Sequence, residues 1–218
     1  MTPTPTLVKE VLPMTALAHD RARDSHDMPG LDEVLWRAWQ AMELPEGYRV
    51  EIVEGFIEVS PTGRRRHAVL ANRLRDALVL HLTGGRFAAY QDTNVIHDRK
   101  VFSPDVLIAP RDLEETRDLE GLGVDVSGVV LVAEVVSPGH EDRARDRVRK
   151  RRAYARAGIA VYVLVEDSDG HGSVTVLSSP VPEEAVYTTE VRVGYGTDVE
   201  VPEGPAKGMV IGESITGS

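Results

Sequence analysis

Glu134 stands inside VVLVAEVVSPG, residues 129–139, where seven of the first eight positions are apolar and mostly β-branched. Such a run reads as a strand buried on both faces, and a carboxylate is almost never fully buried unless it is paired or bound to a metal. Asp105 raises the same question, because it follows Pro104 and opens the apolar run VLIA. Two carboxylates on neighbouring strands make a hard-oxygen site suited to Mg2+ or Mn2+. For either one alone, the competing reading is a strand-end charge that reaches water.

Lys150 is the third candidate. The chain has four lysines against 21 arginines, and this lysine lies within the arginine-dominated stretch DRVRKRRAYARAG. A sequence that prefers arginine so strongly has a reason to place a compact ammonium there. On a helix, Arg145, Arg149, Arg152 and Arg156 line one face, expected to be exposed. Asp146, Lys150, Tyr154 and Ala157 follow one another on another face, expected to meet the body. The competing reading is an Asp146–Lys150 surface pair, worth only ~0.3–0.5 kcal/mol.

Other residues carry weaker signals. His67 lies on an apolar helical stripe after GRRR; it reads as a packed structural histidine, near a helix start that can also meet phosphate. Tyr154 reads as a core residue with its hydroxyl at the edge of the site, and Gln91 as a residue near the active edge of the sheet. Ser137-Pro138-Gly139-His140 lacks the elbow spacing and third partner of a hydrolase triad.

These residues need a scaffold. Residues 1–28 are Pro/Thr-rich and then polar without a sustained period, which predicts a loose arm. Residues 31–42 predict a short helix burying Leu31, Val34, Leu35, Ala38 and Trp39. YRVEIVEGFIEVS alternates around Glu54-Gly55, a hairpin signal. In SPTGRRRHAVLANRLRDALVLHL, His67, Leu70, Ala71, Leu74, Ala77, Leu78 and His81 fall at helical spacing, so one amphipathic helix should end before Gly84-Gly85. Strands are expected at RFAAYQ, TNVIHD, SPDVLIAP, 129–136 and AVYVLVED. A helix over 141–157 should stop at Gly158, short strands should follow within 173–201, and PAKGMVIGESITGS forms a final strand or a tail. The order predicts an α/β or α+β fold, a mixed sheet packed by a few helices and supplemented by hairpins. It also predicts one domain over 29–205, with 206–218 as the terminal strand or tail.

Composition narrows the function. With 218 residues, 42% of them hydrophobic and 28% charged, the chain is long enough for one good core. No run approaches the ~18 apolar residues of a membrane span, and MTPTPTLVKEVLPM lacks the basic and apolar regions of a signal peptide, so a cytoplasmic protein is expected. The absence of cysteine fits that compartment and excludes disulfides, thiolate zinc sites and a cysteine nucleophile. A net charge of −10 argues against a generic nucleic-acid coater. The arginines at 64–66 and in EDRARDRVRKRRAYARAG make either two local basic patches or solvated helix faces.

YRVEIVEGFIEVSPTGRRRH, FSPDVLIAP, LVAEVVSPG, the Asp146-x3-Lys150-x3-Tyr154 spacing and AGIAVYVLVED, in that order, closely resemble the Uma2 family. That family, also described as a domain of unknown function, belongs to the PD-(D/E)xK restriction-endonuclease-like superfamily. The resemblance spans roughly residues 30–205. It implies a restriction-endonuclease-like core, with Asp105 as the aspartate of PD and Glu134 as the acidic residue of (D/E)xK. The usual lysine of that motif would fall at Val136; in this family it stands on the following helix, where Lys150 matches, and Glu51 matches an early glutamate. Two positions depart from the common pattern: Glu54-Gly55 replaces Asp-Gly, and Val163 stands where a tryptophan often follows the tyrosine.

The resemblance implies a metal-dependent endonuclease acting on nucleic acid, DNA ahead of RNA. Asp105, Glu134 and the carbonyl of Val135 would hold Mg2+ or Mn2+, Lys150 would orient water or stabilise the transition state, and Glu51 would complete the shell. Without the metal, at least one of the two carboxyl pKa values should rise. A homodimer is expected, as in many endonucleases of the superfamily. Two further classes stand beside this one: a nuclease-fold module that binds nucleic acid or protein with little or no catalysis, and a structural or regulatory dimer with an incidental ion site.

Overall fold

Alternation broken at Glu54-Gly55 produces the first hairpin. Strand β1 (Tyr48–Val53) pairs antiparallel with β2 (Phe56–Pro61), Val53 opposite Phe56. Glu54 (φ 48°) and Gly55 (φ 79°) both adopt the left-handed conformation that a two-residue type I′ turn requires. The structure, a computed structural model, describes residues 30–61, 63, 65–116, 121–136, 145–167 and 172–217, without the side chains of Glu115 and of 145–147. The expected arm at 1–28, the segment 137–140, the start of the helix expected at 141 and the Asp146 side chain all lie outside the described residues.

Helix α2 (Arg65–His81) follows the hairpin as the apolar spacing predicts, burying Leu70, Ala71, Leu74 and Leu78. Helix α1 (Leu31–Gln40) precedes it and meets the sheet through only part of the expected face. Val34 and Ala38 are exposed, while Leu35, Trp36 and Trp39 cover Ile52, Ile96 and Val101. The two indoles stack with centroids 5.5 Å apart, and Trp39 Nε1 donates to the Val50 carbonyl at 3.1 Å. Their area decides the rotation of a short helix lying on a sheet.

The middle of the chain supplies β3 (Phe87–Tyr90), β4 (Val95–His97), β5 (Lys100–Phe102), β6 (Val106–Pro110), β7 (Val124–Asp125) and β8 (Leu131–Val136). Strand β5 was not anticipated: three residues are too few to show a period, and its pairing with β4 comes from the turn at Asp98-Arg99. After β8 come a π-helical stretch (Arg145–Lys150) and helix α3 (Arg151–Arg156), which Gly158 (φ 74°) ends as expected. Strand β9 (Val161–Glu166) then returns parallel to β8.

The short strands expected in 173–201 are instead one long hairpin, β10 (Ser173–Val181) with β11 (Val186–Gly194), followed by β12 (Val199–Glu200). Ser179 takes φ 57°, so Ser-Ser-Pro is carried within β10 rather than ending it. Strand β13 (Val210–Ile211) pairs with β12, and α4 (Glu213–Thr216) follows.

Two large sheets result, ordered β2-β1-β5-β4-β7 and β11-β10-β9-β8-β6-β3, beside the two-stranded β12-β13 pair. The larger sheet is apolar on both faces. On one face Val106, Ile108, Leu131, Ala133 and Val163 meet Leu70, Leu74 and Leu78 of α2, together with Met209, Ile211 and Ile215. On the other, Leu107, Val132, Val136, Tyr162 and Leu164 meet Val53, Val95 and Phe102 of the smaller sheet and Tyr154 of α3. The architecture is therefore a mixed α+β one: α2, the larger sheet, the smaller sheet with α3, and α1 outermost.

Candidate active site

Strand alternation brings the acids together. Glu134 shares its side of β8 with Val132 and Val136, and Glu51 shares its side of β1 with Val53, these three valines lying in the layer between the two sheets. Lys150 enters that layer from the end of the π-helical stretch. Its Nζ lies 2.8 Å from Glu134 Oε1 and 3.0 Å from Glu51 Oε1. Tyr154, one turn later, donates to Glu134 Oε1 at 2.5 Å, and the Ser103 N–H donates to Glu51 Oε1 at 2.7 Å. Lys150 is only 2% exposed, so it is a buried lysine and not a surface one. The i, i+4 spacing of Lys150 and Tyr154 converges on one carboxylate oxygen.

Asp105 sits beside Glu134 because the antiparallel register of β6 and β8, Val106 opposite Ala133, extends one residue further. Its Oδ2 accepts from the Val135 N–H at 2.8 Å and lies 2.9 Å from His67 Nε2, while Oδ1 accepts from Arg49 Nη1 at 2.9 Å. Burial pushes this carboxyl up, but the hydrogen bond and charge of His67, then the Val135 N–H and Lys150, outweigh it and hold Asp105 below the usual carboxylate range. The rise expected of an uncompensated pair is therefore not seen at Asp105. The Tyr154 hydroxyl goes far up, through burial first and then the Glu134 and Glu51 carboxylates, so it remains a donor. Burial lowers the Arg49 guanidinium, yet Asp105, with Asp92 and Glu134, more than offsets it and leaves it raised.

All four candidate side chains, Glu51, Asp105, Glu134 and Lys150, thus meet at one buried junction, with Val135 contributing its main chain. Gln91 lies beyond the end of β3, its carbonyl accepting from Thr93 Oγ1 at 3.0 Å, and is not among the junction's described contacts. Sequence reasoning passed over Arg49 and Ser103. A signal for Arg49 was present, since alternation in YRVEIV puts Arg49, Glu51 and Val53 on one side of the strand. His67 had been read as structural, and its bond to Asp105 gives it a place at the site.

A family profile described as "Uma2: Putative restriction endonuclease" matches residues 36–205. The chain belongs to the Uma2 family. Among solved structures it resembles one titled as a putative nuclease belonging to DUF820 from Anabaena variabilis, with a TM-score of 0.54 and 15% identity over 79% of this chain and 88% of that one. At that identity the likeness is one of fold, and it bears out the nuclease-like α+β class. No curated protein matches the chain.

Whether a Uma2 chain with these residues suits a divalent ion is a question of donors. Two carboxylates on adjacent strands, with a third across the layer, are hard oxygen ligands of the kind Mg2+ and Mn2+ take. Among the described residues, no group of three or more His, Cys, Asp or Glu side chains is spaced as a finished metal shell. Arg49 and Lys150 supply positive charge around the acids, and the His67 ring nitrogen adds a polar contact. The donor chemistry fits an ion, and the surrounding cations compensate the same carboxylates. Among the described residues, no helix is long and apolar enough to cross a membrane.

Proposed function

We propose that this Uma2 chain is a metal-dependent endonuclease that hydrolyses phosphodiester bonds in nucleic acid, DNA ahead of RNA. The observation that carries the reading is Lys150, a lysine sealed between Glu134 and Glu51 beside Asp105. A buried ammonium with two glutamates is costly to assemble in a core that hydrophobic residues could fill, and it suits a centre that must handle negative charge.

In this reading Asp105, Glu134 and the Val135 carbonyl hold Mg2+ or Mn2+, which when bound polarises the scissile phosphate and makes water a better nucleophile at neutral pH. Lys150 orients the attacking water and offsets charge that develops on the phosphoryl oxygens. Glu51 fixes Lys150 through Oε1, which Ser103 holds in turn. Tyr154 keeps Glu134 in one orientation, and His67 does the same for Asp105. The enzyme is further proposed to work in the cytoplasm as a homodimer, built on a single domain over 29–205.

A second reading has its own support. Both oxygens of Asp105 and Glu134 Oε1 already accept from protein donors, an arrangement a catalytically idle nucleic-acid- or protein-binding module could keep. The deciding experiment is cleavage of supercoiled plasmid and labelled single strands with Mn2+ or Mg2+, comparing the parent with Asp105→Ala and Lys150→Ala. Metal-dependent cleavage lost in both variants is expected. A parent that binds Mn2+ by calorimetry but cleaves neither substrate would overturn the nuclease reading in favour of the binding module.

A further inference from the structure

A cavity of about 250 Å3 opens beside the acid junction, its wall including Trp39, Tyr48, Arg49, Asp92, Asn94 and Pro104. Two of its lining residues reach the candidate site. Arg49 holds Asp105 at 2.9 Å, and Pro104 leads directly into Asp105. The reaction described above uses none of this space.

The wall has a definite chemical preference. Tyr48 is half exposed, and the indole N–H of Trp39 is already given to Val50, so both rings offer apolar surface. Arg49 adds a guanidinium plane of the kind on which bases stack. Its charge is already matched by Asp105 and, at 3.6 Å, by Asp92. The Asp92 carboxylate is largely exposed and repels a phosphate. Asn94 is fixed by Ser103 Oγ at 2.6 Å and by the Leu122 carbonyl at 3.1 Å, giving the rim a rigid polar edge. Drug-sized ligands usually occupy about 300–1,000 Å3, so the space admits one planar ring system. An uncharged, flat, hydrogen-bonding group is what this wall accepts.

We propose that the cavity receives one unpaired nucleobase adjoining the phosphate at the Asp105 junction. The preferred substrate then carries an unstacked nucleotide beside the scissile bond, as a single strand does, because a base inside continuous duplex cannot enter such a pocket without leaving the stack. This rests on the nuclease reading for the location of the phosphate, and the test separates the two.

Both tryptophans of the chain lie in α1, and Trp39 lines the cavity, so intrinsic fluorescence reports its occupancy without any cleavage. The full chain is titrated in EDTA with a short oligothymidylate and, separately, with the same strand paired to oligodeoxyadenylate. The single strand should quench the tryptophans and bind at least about tenfold more tightly than the duplex. Tyr48→Ala should remove about tenfold of the single-strand affinity, and Tyr48→Phe should retain it, as loss and retention of one stacking contact. Equal affinity for the two forms, or Tyr48→Ala binding the single strand like the parent, would overturn the base pocket. Plasmid and single-strand cleavage with Mn2+ judges the other reading: no cleavage despite strand-selective quenching sinks the nuclease and upholds the pocket, whereas cleavage without that selectivity sinks the pocket alone.

Discussion

Asp105 is held by two side chains that arrive from different elements, Arg49 from β1 and His67 from the first turn of α2. Its carboxyl is consequently below the usual range although burial alone would raise it. A group whose folded pKa lies under its unfolded value, about 3.9 for aspartate, contributes stability that is complete above the unfolded value and lost as pH falls through the folded one. Asp105→Asn should therefore be less stable than the parent at pH 7, by about 1–3 kcal/mol as Arg49 and His67 lose a charged acceptor. The gap should close on acidification below about pH 4. Urea unfolding of both proteins in metal-free buffer, from neutral to acid pH, checks this; a gap that did not change with pH would mean that Asp105 titrates at its ordinary value. Residues that broke a local pattern were legible in advance: Glu134 in an apolar strand, Lys150 among arginines, Asp105 at a strand start. Arg49 and Ser103 broke none, because an arginine on an alternating strand and a serine before a proline need no explanation until a fold brings acids to them.

The elements were legible where the pattern was long. The β1–β2 hairpin, α2, β8 and β9 carry enough residues to show a period, whereas β5, β7, β12 and β13 have two or three residues each and exist because a neighbouring strand pairs with them. The Glu54-Gly55 turn illustrates how an element can be read correctly and still hide its purpose. A shorter aspartate is the better turn former, but Glu54 reaches Arg152 of α3 with both oxygens, at 2.8 and 2.5 Å, and so ties the hairpin bearing Glu51 to the helix that follows Lys150. Bidentate geometry lifts such a pair above the usual exposed one, and the half-exposed Arg152 limits the gain. A double-mutant cycle with Glu54→Ala and Arg152→Ala should give a coupling of about 0.5–1 kcal/mol in urea unfolding. Additive single effects would show that the contact does not brace the two elements. Glu54→Asp should behave like the alanine variant in that cycle, since it improves the turn while losing the reach.

For the whole molecule, the described arginines of the two clusters are largely engaged in ion pairs. Arg149 pairs with Glu58 of β2, Arg151 with Glu190 of β11 at 2.9 Å, Arg152 with Glu54, and Arg66 with Asp167 at 2.6 Å. Among the described residues, these four arginines tether one element to another, so their charge is matched within the fold. The chain keeps a net charge of −10, so nucleic acid approaches a body that repels it except near the acid junction and its cations. Binding should therefore depend on salt only weakly, because few counterions are released when few phosphates are neutralised. For a single strand, two or three phosphate contacts predict a loss of about 7- to 20-fold in affinity between roughly 50 and 200 mM salt, against roughly 3 × 10² to 2 × 10⁴ for six to ten contacts. Anisotropy of a labelled single strand, measured across that range without divalent metal, reads the slope directly. A slope equivalent to six or more phosphates would mean that the tethering arginines leave their glutamates to meet the strand, and it would turn these ion pairs from fixed braces into contacts that exchange on binding.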